Sequence, residues 1–180
     1  MKLIDGKINA APDFLTKAVI NELSRGARLI EQIEDSVYCR KANGTGSIGG
    51  HFRHNLDFAY SFLNGIRSGK IDYNRRERDV RTEEDRFYAI ERFVLTIGRL
   101  SGLEPDFLRR KVWVRSEIDA QIRHESSGAR ELEFLHSHTV HHHALIAEKL
   151  AFFGAKVTCN FGVAPSTLKF WEQQNAARAA

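Results

Sequence analysis

Five of the chain's eight histidines fall within nine consecutive residues, Leu135-His136-Ser137-His138-Thr139-Val140-His141-His142-His143. The residues around that run phase it onto one face of a helix. Leu132, Leu135, Leu145, Ile146 and Leu150 recur at helical spacings, and steps of three and four between them land on His138, Thr139 and His142. His138 and His142 are therefore expected one turn apart on the inward face. Two imidazoles in a core restrict the fold, because each buried ring nitrogen without a partner costs free energy. A divalent ion is one solution, since neutral imidazole is a good ligand and an i, i+4 pair clamps a single ion. A core carboxylate, a backbone carbonyl or water is the other. His136, His141 and His143 fall away from the stripe, and at least His136 and His143 are expected to be solvated or to line a rim.

A third ligand has to come from another helix. His51 and His54 lie in a segment that Ser47 caps and that runs to about Ile66, before Ser68-Gly69. Its stripe is Ile48, Phe52, Leu56, Ala59, Phe62, Leu63 and Ile66, and His51 lies nearer its centre than His54. Periodicity on its own mildly favours His51.

Three further segments complete the outline. One helix runs from about Pro12 to Val37 and is followed by a glycine-bearing break at Asn43–Gly46. Another starts at Thr82, with Asp85 three residues on, and carries Phe87, Ile90, Phe93, Val94, Ile97 and Leu100 to Gly102. Between Pro105 and Glu125, Val112, Val114, Ile118 and Ile122 alternate with polar residues, which predicts a short hairpin or extended crossover. Ser126 or Ser127 caps the histidine helix, Gly154 closes it, and Ala164-Pro165-Ser166 opens a short terminal helix to about Gln174. The expectation is an all-α fold, an up-down four-helix bundle with a long crossover, in one domain over 1–180. Trp113 and Trp171 are expected in the core or at a dimer contact.

The charge balance narrows the function classes. The chain has 27 basic and 23 acidic residues, a formal charge of +4. That is weaker than a dedicated nucleic-acid binder needs, and no helix-turn-helix, zinc knuckle or aromatic-basic strand is present. Much of the excess sits in 67–81, and its Arg75, Arg76, Arg78 and Arg81 are interleaved with Asp72, Glu77 and Asp79 and followed by Glu83 and Glu84. Such a run reads as a solvated, self-paired turn, or as an anion-recognising rim suited to a carboxylate-bearing thiol or a phosphate. No apolar stretch is long enough for a membrane span, and MKLIDGKINAAPDFL lacks the apolar core of a secretory signal. Cys39 and Cys159 are far apart and form no CxxC. Free thiols and a cytoplasmic location are therefore expected.

SIGGHFRHNLDF (47–58), GKIDYNRRERD (69–79), SHTVHHHALI (137–146) and FGVAPSTLKF (161–170) together resemble the DinB-like superfamily. This group of metal-binding four-helix bundles includes the bacillithiol transferases. The segments are similar as well to the iron-binding N-terminal domain of ergothioneine-synthesising sulfoxide synthases. The resemblance implies a three-histidine site of His54, His138 and His142, with His51 as the reserve ligand. It implies a metal-dependent enzyme, a thiol S-transferase or a hydrolase, with a low-molecular-weight thiol as substrate class. A non-catalytic metal-binding or stress-response protein is the other reading, and homodimers are common in the group. Three imidazoles suit zinc or nickel, the expected ions, and also ferrous iron. Asp57, one turn from His54, is a candidate to orient a ligand ring, and His141 a weak candidate base.

Overall fold

The Ser47 hydroxyl accepts a hydrogen bond from the backbone N–H of Gly50 at 2.9 Å, satisfying one unpaired donor where a helix begins. The computed structural model of the chain describes residues 11–41, 46–158 and 160–179. Residues 43–45 of the expected glycine break, and Cys159, lie outside the described residues. The described order is α1 (Ala11–Gln32), α2 (Asp35–Tyr38), α3 (Ile48–Gly65), β1 (Lys70–Ile71), α4 (Val80–Glu84) and α5 (Arg86–Ser101). It continues with α6 (Pro105–Arg109), β2 (Lys111–Arg115), β3 (Arg123–Ser127), α7 (Gly128–Phe152) and α8 (Pro165–Ala179).

The four long helices α1, α3, α5 and α7 enclose the core. α1 and α3 each pack against both α5 and α7, which puts α1 and α3 at opposite corners. Tyr38, Phe52, Phe62 and Phe93 are the largest fully buried side chains, each contributing roughly 2–3 kcal/mol by burial. Phe52 meets Phe93 edge-on with centroids 5.6 Å apart, and the buried Tyr38 hydroxyl donates to the Thr82 carbonyl at 2.6 Å. A Cβ at Gly49 would lie 2.1 Å from the Glu83 carbonyl oxygen. Only glycine lets α4 approach α3 that closely, and the approach carries Glu83 to Arg53 (3.2 Å) beside the histidines.

The expected all-α, up-down four-helix bundle is corrected by a three-stranded mixed sheet. Its order is β1-β2-β3, with β1 parallel to β2 and β2 antiparallel to β3. The β2–β3 hairpin falls where the alternation points to extended chain. β1 has two residues, too few to show a period, and it is held because Ile71 is buried and because the Trp113 N–H donates to the Gly69 carbonyl at 2.8 Å. Ile118 and Ile122 are not strand residues but sit in the turn, the first fully exposed.

Other boundaries also move. The first helix stops at Gln32, and Asp35–Tyr38 is a separate turn. The third has no start at Thr82: Asp79 caps α4 and Asp85 caps α5, while Thr82 is buried inside α4. Ala89, Phe93, Thr96 and Leu100 form the buried face of α5, and Phe87 and Val94 are exposed. The last helix continues past Gln174 to Ala179. Trp113 and Trp171 are 43% and 45% exposed, which removes them from the core. No helix among the described residues is long and apolar enough to cross a membrane.

Candidate metal centre

α7 opens where the Ser127 hydroxyl accepts from the Arg130 N–H at 3.2 Å, and it presents its inward face to α3. That packing brings His54 of α3 against His138 and His142 of α7. One ring nitrogen from each lies within 4.8 Å of the other two. The ring centroids are 5.0 Å apart for His54–His138, 4.6 Å for His54–His142 and 4.6 Å for His138–His142. The triangle is close to equilateral.

Burial holds all three rings neutral. Desolvation, followed by the neighbouring histidine charges, pulls His54 and His138 down to about 4 and His142 to about 3. Arg76 and Arg53 add to the effect on His54. Neutral imidazole is the form that binds a metal. His138 Nε2 is buried without a hydrogen-bond partner, as is His143 Nε2, and a buried nitrogen of that kind is open to an ion or a bound water. Phe58 fixes the His138 ring, stacked at 4.0 Å, with Phe134 at 5.7 Å on the same ring. The donor set, three imidazoles with no carboxylate among them, fits a borderline ion such as zinc or nickel.

His51 is not part of the triangle. Its Nδ1 lies 3.0 Å from His142 Nδ1, a hydrogen bond that engages one of the two His142 nitrogens. On the other side, Arg76 Nη1 approaches His54 Nδ1 at 3.4 Å, and its guanidinium lies 5.4 Å from the Phe58 centroid. Neither contact is visible in the spacing of residues: one crosses between helices, and the other folds a loop back onto a helix.

Asp57 does not orient a histidine. It is buried and bonds Arg53 Nη1 at 3.0 Å and the Arg78 N–H at 3.3 Å. Burial pushes its carboxyl up, partly offset by those donors. His141 is exposed, with its ring 5.3 Å from His142. His136 is half-buried. His143 is no rim residue, for it is fully buried and pairs with α1. Its Nδ1 pairs with Glu22 Oε2 at 3.2 Å and its ring stacks on Phe161 at 4.4 Å. The loop carrying Phe161 closes so tightly that a Cβ at Gly162, where φ is +75°, would lie 2.3 Å from the Ala144 nitrogen.

No family model and no solved structure matches the chain. A curated protein of Rhizopus delemar, FK506-binding protein 5, is 32% identical over 108 residues, covering 58% of this chain and 28% of that protein. The chain therefore spans less than a third of the curated relative it matches.

Proposed function

We propose that the chain is a divalent-metal-dependent enzyme of the DinB-like type, and that His54, His138 and His142 hold the ion. The observation that carries this reading is the convergence of three neutral imidazoles within 4.8 Å, one of them with a buried nitrogen that has no partner. Three protein ligands leave a coordination position open, as in catalytic sites. A divalent ion held there supplies Lewis acidity, lowering the pKa of a thiol or water that reaches it. Transfer to or from a low-molecular-weight thiol is the chemistry favoured here, with hydrolysis as the variant in which water replaces the thiol.

The protein's own groups do the positioning. His51 holds His142 through the Nδ1 contact, Phe58 and Phe134 wall off the His138 side from water, and Arg76 stands over the His54 side. FK506 binding, which the fungal relative's name carries, is left with that protein.

Elemental analysis of untagged chain, beside a His138→Ala, His142→Ala variant, tests the reading. About one equivalent of metal in the parent and none in the variant is expected. No metal after incubation with zinc, nickel and iron would overturn it. A bound metal with a saturated shell would replace the enzyme by the non-catalytic metal-binding protein.

A further inference from the structure

The small sheet that interrupts the bundle leads to one of the three histidines. Lys70 and Ile71 of β1 pair with β2, and the chain leaving β1 is pinned twice more. Arg115 Nη1 holds Asp72 at 3.0 Å, and Asn74 Nδ2 donates to the Ser116 carbonyl at 3.0 Å. Tyr73, between those two anchors, is buried. Its hydroxyl donates to Glu131 Oε2 at 3.0 Å, while Ser126 Oγ of β3 donates to the other oxygen of the same carboxylate at 2.6 Å. A buried carboxylate is costly without such donors, and the sheet region supplies both of these. Burial, and then the Glu131 charge, push the Tyr73 phenol above its usual range, so it keeps the proton it donates.

The Tyr73 ring stacks on Phe58, with centroids 5.1 Å apart and planes at 15°, and Phe58 stacks on His138 at 4.0 Å and 25°. Phe134 touches all three rings, at 5.4 Å from Tyr73, 6.1 Å from Phe58 and 5.7 Å from His138. Glu131, Phe134 and His138 follow one another on α7 at steps of three and four, so carboxylate, aromatic ring and imidazole share one face. The other two histidines are held by polar contacts at a ring nitrogen, His142 by His51 and His54 by Arg76. No such contact holds His138 among the described residues, and its Nε2 is buried without a partner. The torsion that turns an imidazole about its Cβ–Cγ bond is intrinsically broad. Ring packing is therefore what sets the direction of His138.

We propose that Tyr73 and Glu131 are positioning residues for His138: the hydrogen-bonded pair clamps the aromatic stack, and the stack aims the imidazole. What the ring is aimed at rests on the proposed three-histidine metal site. Tyr73 and Glu131 act through Phe58 and Phe134, and the sheet acquires a purpose, since it brings Tyr73 and Ser126 to the one carboxylate.

The clamp is tested in the full chain with four variants. Tyr73→Phe keeps the ring and loses the hydroxyl; Glu131→Gln keeps a polar partner for both donors, and Glu131→Leu keeps none. Tyr38→Phe is the control, because it removes another buried tyrosine hydrogen bond, the one to the Thr82 carbonyl. The first readout needs no metal: carbon relaxation of the histidine rings in chelated protein. Tyr73→Phe and Glu131→Leu should add motion to the His138 ring and leave His142 as in the parent, whereas Glu131→Gln and Tyr38→Phe should add none. The second is zinc affinity by chelator competition. Tyr73→Phe should weaken it about tenfold at unchanged stoichiometry, and Glu131→Gln should retain most of the parent's affinity. Parent-like ring motion and zinc affinity in Tyr73→Phe would overturn the proposal. So would equal changes in Tyr38→Phe, which would make the effect a general loosening of the core. Added His138 motion in a chain that takes up no metal would preserve the clamp and remove the triad reading instead.

Discussion

His51 Nδ1 lies 3.0 Å from His142 Nδ1, so a hydrogen bond joins α3 to α7 at the edge of the histidine triangle. One of the two rings must donate and the other accept. If His142 donates from Nδ1, its Nε2 carries the lone pair and is ready to ligate. Burial keeps His51 below the usual imidazole range, and the nearby Lys149 and His141 charges lower it further, so the ring is neutral and accepts at Nδ1 in the tautomer that carries its proton on Nε2. This is the arrangement by which a residue outside the ligand set fixes the tautomer and direction of one inside it.

His51→Ala should therefore weaken zinc binding about tenfold while keeping close to one equivalent at saturation. His51→Gln, which retains an acceptor, should recover part of the loss. Competition titration against a chromogenic chelator separates the two variants. Loss of stoichiometry in His51→Ala would make His51 a ligand.

The lowered histidines also set a pH dependence. His142 is held at about 3 by burial and by His138, His54 and His51, whereas an unfolded histidine titrates near 6.5. The neutral ring is favoured in the folded state. Its contribution to stability is therefore complete above pH 6.5 and is lost as pH falls from there toward 3. Near pH 5, metal-free protein should take up about one more proton on unfolding than His142→Gln does. The measure is the slope of unfolding free energy against pH for both chains. Equal slopes would mean that His142 is solvated and not part of a desolvated cluster.

What could be read from sequence follows the range of the interaction. The Ser47 cap is local, set by residues within a turn, and the structure has it. The phase of α7 holds for Leu132, Leu135, Thr139, Ile146 and Leu150, but the fully buried face also takes in Val140 and His143 and leaves His138 and His142 half-buried. The choice between His51 and His54 is not local. Both lie on the wide apolar side of α3, and their separation depends on how α3 rotates against α7. The β2–β3 hairpin lies where the alternation points to extended chain, whereas β1 is illegible for a different reason: it is two residues pairing with Trp113 and Val114, forty-three positions downstream. Arg76 was read only as one charge among many, because loop curvature and not spacing brings it to His54.

His143 is the sharpest case of a long-range partner changing a residue's meaning. It adjoins His142 in sequence, yet it points into the core, where Glu22, 121 positions away, accepts from its Nδ1 at 3.2 Å. Arg25 Nη1 in turn holds Glu22 at 2.8 Å. Burial lowers His143, opposed by the Glu22 carboxylate. The Phe161 ring stacks on it at 4.4 Å and Phe52 meets it edge-on at 6.0 Å. Its role is therefore to tie α1, α7 and the Phe161 loop together. His143→Ala should cost about 3 kcal/mol of stability in metal-free protein, from a cavity and an unpaired Glu22, and should leave metal stoichiometry unchanged. His138→Ala should do the reverse, with metal lost at a smaller cost in stability. Chemical denaturation of chelated protein, paired with elemental analysis, reads both quantities on the same samples. If His143→Ala lost the metal while the fold held, the metal centre would extend to the Glu22 side of α7, and the three-histidine triangle would be incomplete.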